Sequence, residues 1–322
     1  MVDSAPHSTA TRRLTIGTRG SQLALWQANW TRQAIMERFP DITVELLIIK
    51  TQGDKIQDVP LAKVGGKGLF VKEIEDAMLA GRIDLAVHSM KDMPAKLPVG
   101  LCIGAVPKRE TPWDALISKN GLPLDRLPER ARVGTSSLRR GAQLKGLRPD
   151  IEIVSLRGNL DTRLRKLETG NLDAIILAAA GLNRMGLEDR ITEILTDSVM
   201  LPAVGQGALC IEVRENDPAT APVMAALNHP ETRTVVMGER AFLNRLEGGC
   251  QVPIAAHGEL SGDTLTLQGL VSSLDGVTVI RESLSGPTRD AEGIGVALAE
   301  RLIAGGAGPI LESLKELHEI NR

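Results

Sequence analysis

Three groups of residues in this chain sit where their chemistry would be usable. Cys250 lies in Glu247-Gly248-Gly249-Cys250-Gln251-Val252-Pro253, where two glycines strip bulk from its approach and Pro253 stiffens the exit. A thiol on such a loop is accessible, as a nucleophile must be, although a lone cysteine taken by itself is more often structural. Asp92 follows the apolar run Ile83 to His88 within Ser89-Met90-Lys91-Asp92-Met93-Pro94, which sets its carboxylate beside Lys91 at the carboxyl end of a strand. Among cations it would stay ionised and could stabilise a cationic intermediate or relay protons; it could equally cap the turn before Pro94. Finally, between Arg126 and Arg165 nine Arg and one Lys stand against four acids, although the whole chain has a formal net charge of −2.

Position gives that local excess its meaning. Arg139 and Arg140 fall in the first turns after Ser136-Ser137, and Arg157 and Arg163 flank the loop after a strand over Ile151 to Ser155. Strand-to-helix junctions already favour anions through free backbone N–H groups and the helix dipole. Arg adds a planar fork that grips carboxylate or phosphate bidentately. Any one of these arginines fits a solvated, salt-bridged face; the cluster at loop positions points to a polyanion. His88 reads as a packing or hydrogen-bonding residue, Cys102 and Cys210 as core thiols in apolar runs, and Lys63 and Lys67 fit a solvated loop as well as a site.

The elements that must hold these residues alternate. Leu14 to Thr18 is a strand, followed by a helix whose Leu23, Trp26, Trp30 and Ala34 recur at helical spacing and whose N-cap is Ser21. A strand over Thr43 to Lys50 leads to a Gly-rich, charged stretch, Thr51 to Gly68, read as a mobile surface loop. A helix over about 70–80 and the strand Ile83 to His88 complete the first set. A similar order then returns: Val133-Gly134-Thr135-Ser136-Ser137 enters a helix as Ile16 to Ser21 does, and Gly170-Asn171-Leu172-Asp173 enters a strand over Ala174 to Ala178 much as Gly81-Arg82-Ile83-Asp84 does. Two α/β units of one plan would explain the echo and would face each other across a cleft. After an apolar strand ending near Val213, a helix over about 231–246, strands over Thr264 to Val271 and Val277 to Glu282, and two closing helices suggest a small third α+β unit.

Composition narrows the function. The near-balanced charge gives no global pull toward nucleic acid or an anionic membrane, and a chain with no Tyr and 2% aromatic residues lacks stacking platforms for single strands. No apolar run approaches the roughly 20 residues of a membrane helix, and Met1 to Arg12 lacks the apolar heart of a secretory signal. Three scattered cysteines fit neither a disulfide framework nor a metal motif. A cytoplasmic enzyme without metal is the expectation.

Taken together, these segments resemble the porphobilinogen deaminase family. The likeness rests on Thr18-Arg19-Gly20-Ser21, Gly65-Gly66-Lys67-Gly68-Leu69-Phe70, His88 to Pro94, Gly134-Thr135-Ser136-Ser137-Leu138-Arg139-Arg140, Leu156-Arg157-Gly158-Asn159, Leu201 to Gly207 and Glu247 to Pro253, in the family's order across roughly residues 14 to 255. It implies two similar α/β domains of periplasmic-binding-protein type II plan facing a cleft, over 13–107 with 208–225 and over 112–202. A small C-terminal α+β domain over 229–322 completes the fold.

The same resemblance implies a dipyrromethane cofactor joined to Cys250 by a thioether, on which four porphobilinogen units add in turn, each losing ammonia, before water releases 1-hydroxymethylbilane. It gives Asp92 the catalytic role, assigns Lys91, Ser137, Arg139, Arg140, Arg163 and Arg184 to the cofactor, and assigns Arg19, Ser21, Arg157, Lys63, Lys67, Phe70 and Gln206 to substrate. Each ring carries two carboxylates, so elongation gathers a polyanion that needs paired cations. The family's extra insertions are missing here, which favours a bacterial or plant type. A cytoplasmic monomer with no nucleic-acid or membrane partner follows, or a plastid enzyme if residues 1–12 are the remnant of a transit peptide. The competing readings are a non-catalytic solute receptor and, more weakly, a nucleic-acid binder.

Overall fold

The computed structural model describes residues 12–55, 71–246 and 252–320. The residues so described build three sheets. In the first, β1 (Arg12–Thr18), β2 (Ile42–Ile48), β3 (Leu85–Ser89), β4 (Leu101–Ala105) and β10 (Leu209–Arg214) run in the order β2-β1-β3-β10-β4. In the second, β5 (Asp114–Ser118), β6 (Arg132–Gly134), β7 (Glu152–Val154), β8 (Ala174–Ala178) and β9 (Glu193–Leu195) run in the order β7-β6-β8-β5-β9.

The two orders are one plan used twice. In each sheet the first three strands are parallel and the fourth position is an antiparallel strand: β10, returning from beyond the second lobe, against β3, and β5, the strand that opens the second lobe, against β8. The short sequence echo was therefore structural, and the doubled plan is the one the resemblance implies. Two crossings join the lobes: 106–113 leads out of the first sheet, and 196–208 leads back to β10. The carboxyl ends of β1, β3, β6 and β8 and the starts of β5 and β10 all lie near these crossings, so side chains at those ends share one cleft.

The third sheet is an antiparallel meander of β11 (Ile254–Ser261), β12 (Thr264–Ser272) and β13 (Val279–Pro287). The helices Pro230–Arg245 and Ala291–Leu302 cover it, and Phe242, Leu265, Leu267, Leu298 and Leu302, all fully buried, form its core. Strand β11 was not anticipated.

Two expectations need correction. The helix Gln22–Arg38 buries Gln27, Ala28, Thr31, Ala34 and Ile35 against its sheet, whereas Trp30 is 38% exposed. Leu23 and Trp26 instead look toward the second lobe, where the Arg184 guanidinium lies 5.9 Å from the Trp26 ring centre. Near the C-terminus, helical segments joined across a kink within 288–314 together make a run long and apolar enough to cross a bilayer, longer than the sequence reading allowed. Its Ile294, Leu298 and Leu302 belong to the third core, and Gly306 kinks it at a φ of 107°.

Candidate functional site

Strand β3 delivers Asp92 to the cleft. Its end passes into a 3-10 turn, Met90–Asp92, with the Met90 amide on the Ala208 carbonyl at 3.0 Å and the Met93 amide on the Met90 carbonyl at 3.1 Å. Met90 and Met93 are buried on either side, so the turn is anchored while Asp92 stays exposed. No hydrogen bond to the Asp92 carboxylate occurs among the described residues, so the capping role does not apply. Opposite charges act on it from both lobes: Lys91 beside it and Arg163 from the second lobe.

Lys91 lies half-buried between the lobes, its Nζ donating to Gln206 Oε1 at 3.3 Å. Burial, then the Arg140 charge, push its pKa down to about 8. Arg163, on the helix Leu160–Thr169 capped by Asn159, donates through Nε to the Gly158 carbonyl at 2.9 Å. Burial, then Arg140, lower its pKa to about 10, with Asp92 acting the other way. Arg157 adds a third charge to this group, and its Nη1 is a buried donor with no hydrogen-bond acceptor among the described residues.

Ser137 caps the helix Leu138–Leu147, its Oγ accepting from the Arg140 amide at 3.4 Å, and that cap starts the turn that carries Arg139 and Arg140. Both arginines are 5% exposed and converge on Asp114 at the start of β5. Arg139 Nη1 donates to Asp114 Oδ2 at 2.7 Å, and Arg140 donates through Nε and Nη2 to Oδ1. Burial opposes the Asp114 charge, but the two guanidiniums outweigh it and hold the carboxyl well below the usual carboxylate range. Asp114 was missed by sequence reasoning; the available signal was an acid opening the otherwise apolar run Asp114-Ala-Leu-Ile.

Other expected residues stand elsewhere. Arg19 pairs with Asp54 of the one-turn helix Gln52–Lys55, so the stretch expected to be loop from Thr51 begins with ordered structure. Ser21 is the N-cap expected of it, accepting from the Ala24 amide at 3.4 Å. Arg184 donates to the Gly207 carbonyl at 2.6 Å, and burial lowers its pKa to about 10, partly offset by Glu110. Gln206 is fully buried: Nε2 donates to the Pro112 carbonyl at 2.7 Å and to Asp114 at 3.0 Å while Oε1 accepts from Lys91. It braces the two crossings rather than lining an open surface. Cys250, Lys63, Lys67 and Phe70 lie outside the described residues.

The remaining assignments follow from packing. His88 is buried against Glu212 at 3.1 Å, and Cys210 is a buried thiol whose pKa burial pushes up, as a core role requires. Of the basic segment, only part serves the cleft: Arg148 is taken up by Asp150 and the Leu124 and Leu127 carbonyls, and Arg132 by the Asn171 carbonyl. Lys91, Arg139, Arg140, Arg157 and Arg163 still outnumber Asp92 and Asp114. That imbalance, together with the buried unpaired Arg157 Nη1, suits a ligand bearing several carboxylates.

Fold and site therefore define a two-lobed α/β protein with a cation-rich cleft and a small third unit. The chain belongs to the porphobilinogen deaminase family: the profile of its dipyrromethane cofactor binding domain matches residues 14–222, and that of its C-terminal domain matches residues 233–304. The porphobilinogen deaminase of Trichlorobacter lovleyi is 59% identical over 95% of this chain and 97% of its own length, and that of Geobacter sulfurreducens is 56% identical over 97% and 98%. Among solved structures, a TRAP periplasmic solute binding protein from Desulfovibrio salexigens overlaps 68% of this chain and 73% of its own, at 12% identity and a TM-score of 0.40.

Proposed function

We propose that the chain is a transferase that joins four porphobilinogen units head to tail on a dipyrromethane cofactor tethered to Cys250, releasing ammonia and finally 1-hydroxymethylbilane. The observation that carries this reading is the meeting of Lys91, Arg140, Arg157 and Arg163 around the exposed Asp92, with family membership naming the substrate. The cofactor, when bound, supplies the pyrrole end on which units are added.

The protein's own groups then divide the work. Lys91, Arg139, Arg140, Arg157 and Arg163 hold acetate and propionate groups, each charge-assisted hydrogen bond contributing about 1.5–3 kcal/mol. Asp92, set among these cations, stabilises positive charge developing on a pyrrole nitrogen and holds or passes its proton at a carboxylate oxygen. Arg19 and Arg184 extend the cationic wall along the first lobe and the crossings, Ser21 adds a polar group beside Arg19, and the family resemblance assigns Lys63, Lys67 and Phe70 to substrate. We read three domains, over 13–107 with 208–225, over 112–202 and over 229–322, which the three sheets support. The protein works as a cytoplasmic monomer, a placement supported by its bacterial relatives.

Intact-mass measurement tests the reading. Freshly purified protein should exceed its sequence mass by one dipyrromethane, the excess should vanish in Cys250→Ala, and porphobilinogen should be consumed with release of ammonia. An unmodified chain, or an adduct that survives Cys250→Ala, would overturn it.

A further inference from the structure

Arg240 is a buried guanidinium with an unusual set of partners. It sits on the helix Pro230–Arg245 of the third unit, is 7% exposed, and makes no ion pair with a carboxylate among the described residues. Its Nη2 donates to the Pro94 carbonyl at 2.9 Å and the Ala95 carbonyl at 3.1 Å, while Nη1 points to Met90 Sδ at 3.9 Å. Those three residues bracket the turn that carries Asp92. Burying a charge without a direct ion pair, with the Glu212 charge acting only at longer range, is a costly way to stabilise a fold, so its contacts ask for a further reason.

The surroundings supply one. Residues 94–97 form no regular structure, so the exit of the Asp92 turn has no ladder of its own, and Arg240 ties down two successive carbonyls there. The entry is fixed separately, by the Met90 amide on Ala208. The preceding residue, Glu239, binds Arg109 through both carboxylate oxygens and accepts from the Gly205 amide at 2.7 Å, so adjacent residues of one helix grip a lobe crossing and the catalytic turn. The same helix runs directly toward Cys250 in sequence.

We infer that Arg240 is a positioning residue for the transfer reaction, holding the exit of the 90–92 turn so that the Asp92 carboxylate keeps a fixed place relative to a chain growing from the third unit. The inference rests on the proposed role of Asp92. Misplacement of a catalytic group by about 1 Å is enough to cost on the order of 100-fold in rate.

A double-mutant cycle on the cofactor-loaded enzyme tests it. Arg240→Met should retain the cofactor adduct and lower kcat about 10- to 100-fold with KM within about 2-fold, and Arg240→Lys should recover part of the loss. In an Asp92→Asn background, the same Arg240→Met change should alter residual turnover less than about 2-fold, because the group it positions is gone. An undiminished kcat in both Arg240 variants would overturn the inference, as would an equal loss in both backgrounds or a loss confined to adduct formation. Near-normal turnover by Asp92→Asn alone would instead overturn the role of Asp92 itself. Should Arg240→Met fail to fold, Arg240→Lys carries the cycle, with a smaller loss expected and the same dependence on Asp92.

Discussion

Arg140 meets Asp114 twice, with Nε at 2.9 Å and Nη2 at 2.7 Å from the same Oδ1. Arg139 takes the other oxygen, and Gln206 adds a third donor to Oδ1 at 3.0 Å. Two of the N–H groups are also held by backbone: Arg140 Nη1 on the Ile176 carbonyl and Arg139 Nη1 on that of Leu201. One buried carboxylate thus orients two guanidiniums and still leaves a net positive charge, an arrangement suited to a site that must accept anions without rearranging.

Removing that carboxylate should therefore damage both stability and loading. Asp114→Ala leaves two buried guanidiniums without a counter-ion, a change of about 3–5 kcal/mol for broken buried pairs. Urea denaturation should show a loss of that order, and intact mass should show a falling fraction of cofactor-loaded protein. Asp114→Asn keeps the shape and one acceptor and should fall between. An alanine variant within about 1 kcal/mol of the parent would contradict this account.

Lys91 makes the site sensitive to mild alkali. Its folded pKa is lowered to about 8, by burial first and Arg140 second, so it is mostly charged at neutral pH and discharges as pH rises through about 8. Porphobilinogen KM should accordingly climb across that interval. Arg keeps its charge throughout, so Lys91→Arg should move the rise to higher pH. Identical KM profiles for the two proteins would remove Lys91 from substrate binding.

Arg157 separates binding from folding. Its buried Nη1 has no hydrogen-bond partner among the described residues, so deleting the side chain sacrifices no hydrogen bond that this nitrogen makes there. Arg157→Leu should keep unfolding free energy within about 1 kcal/mol while raising KM on the order of 10-fold or more, the loss of one charge-assisted contact. A comparable KM with reduced stability would reverse the assignment.

How much of this was legible in the sequence depends on distance along the chain. Ser21 could be read as a cap because a cap is a local event, and the strand Ala174 to Ala178 because its apolar run is bounded by Asp173. Asp92 could be placed at a strand end for the same reason. The partners were not legible. Asp114 is 25 residues from Arg139, Gln206 is 115 from Lys91, and Arg240 reaches back 146 residues to Pro94. The long-range partners meet only because the chain crosses between the lobes twice and β10 returns to the first sheet, and nothing in local composition encodes that return. The helix face was misread because Leu23 and Trp26 answer to the second lobe while Ala28 and Ile35 answer to the sheet.

A buried acid behind the site carries the last prediction. Glu75, on the helix Lys72–Leu79, is 6% exposed and its Oε1 has no hydrogen-bond partner among the described residues; Glu212 on β10 is fully buried, with Oε2 at His88 and Oε1 likewise without one among them. Burial first, then the charges of Glu212 and Asp76, push the Glu75 pKa from 4.5 up to about 7. The folded chain therefore keeps this proton after the unfolded chain has released it. Stability should fall as pH rises from about 4.5 to about 7 and level off above, the unfolded state binding fewer protons throughout that window. A shift of this size corresponds to at most about 3 kcal/mol for the single site. Glu75→Gln cannot ionise and keeps the shape, so it should match the parent near pH 5 and exceed it by about 1–3 kcal/mol near pH 8. Urea melts of both proteins across that range decide the point: a constant difference between the two curves would mean that some other group titrates.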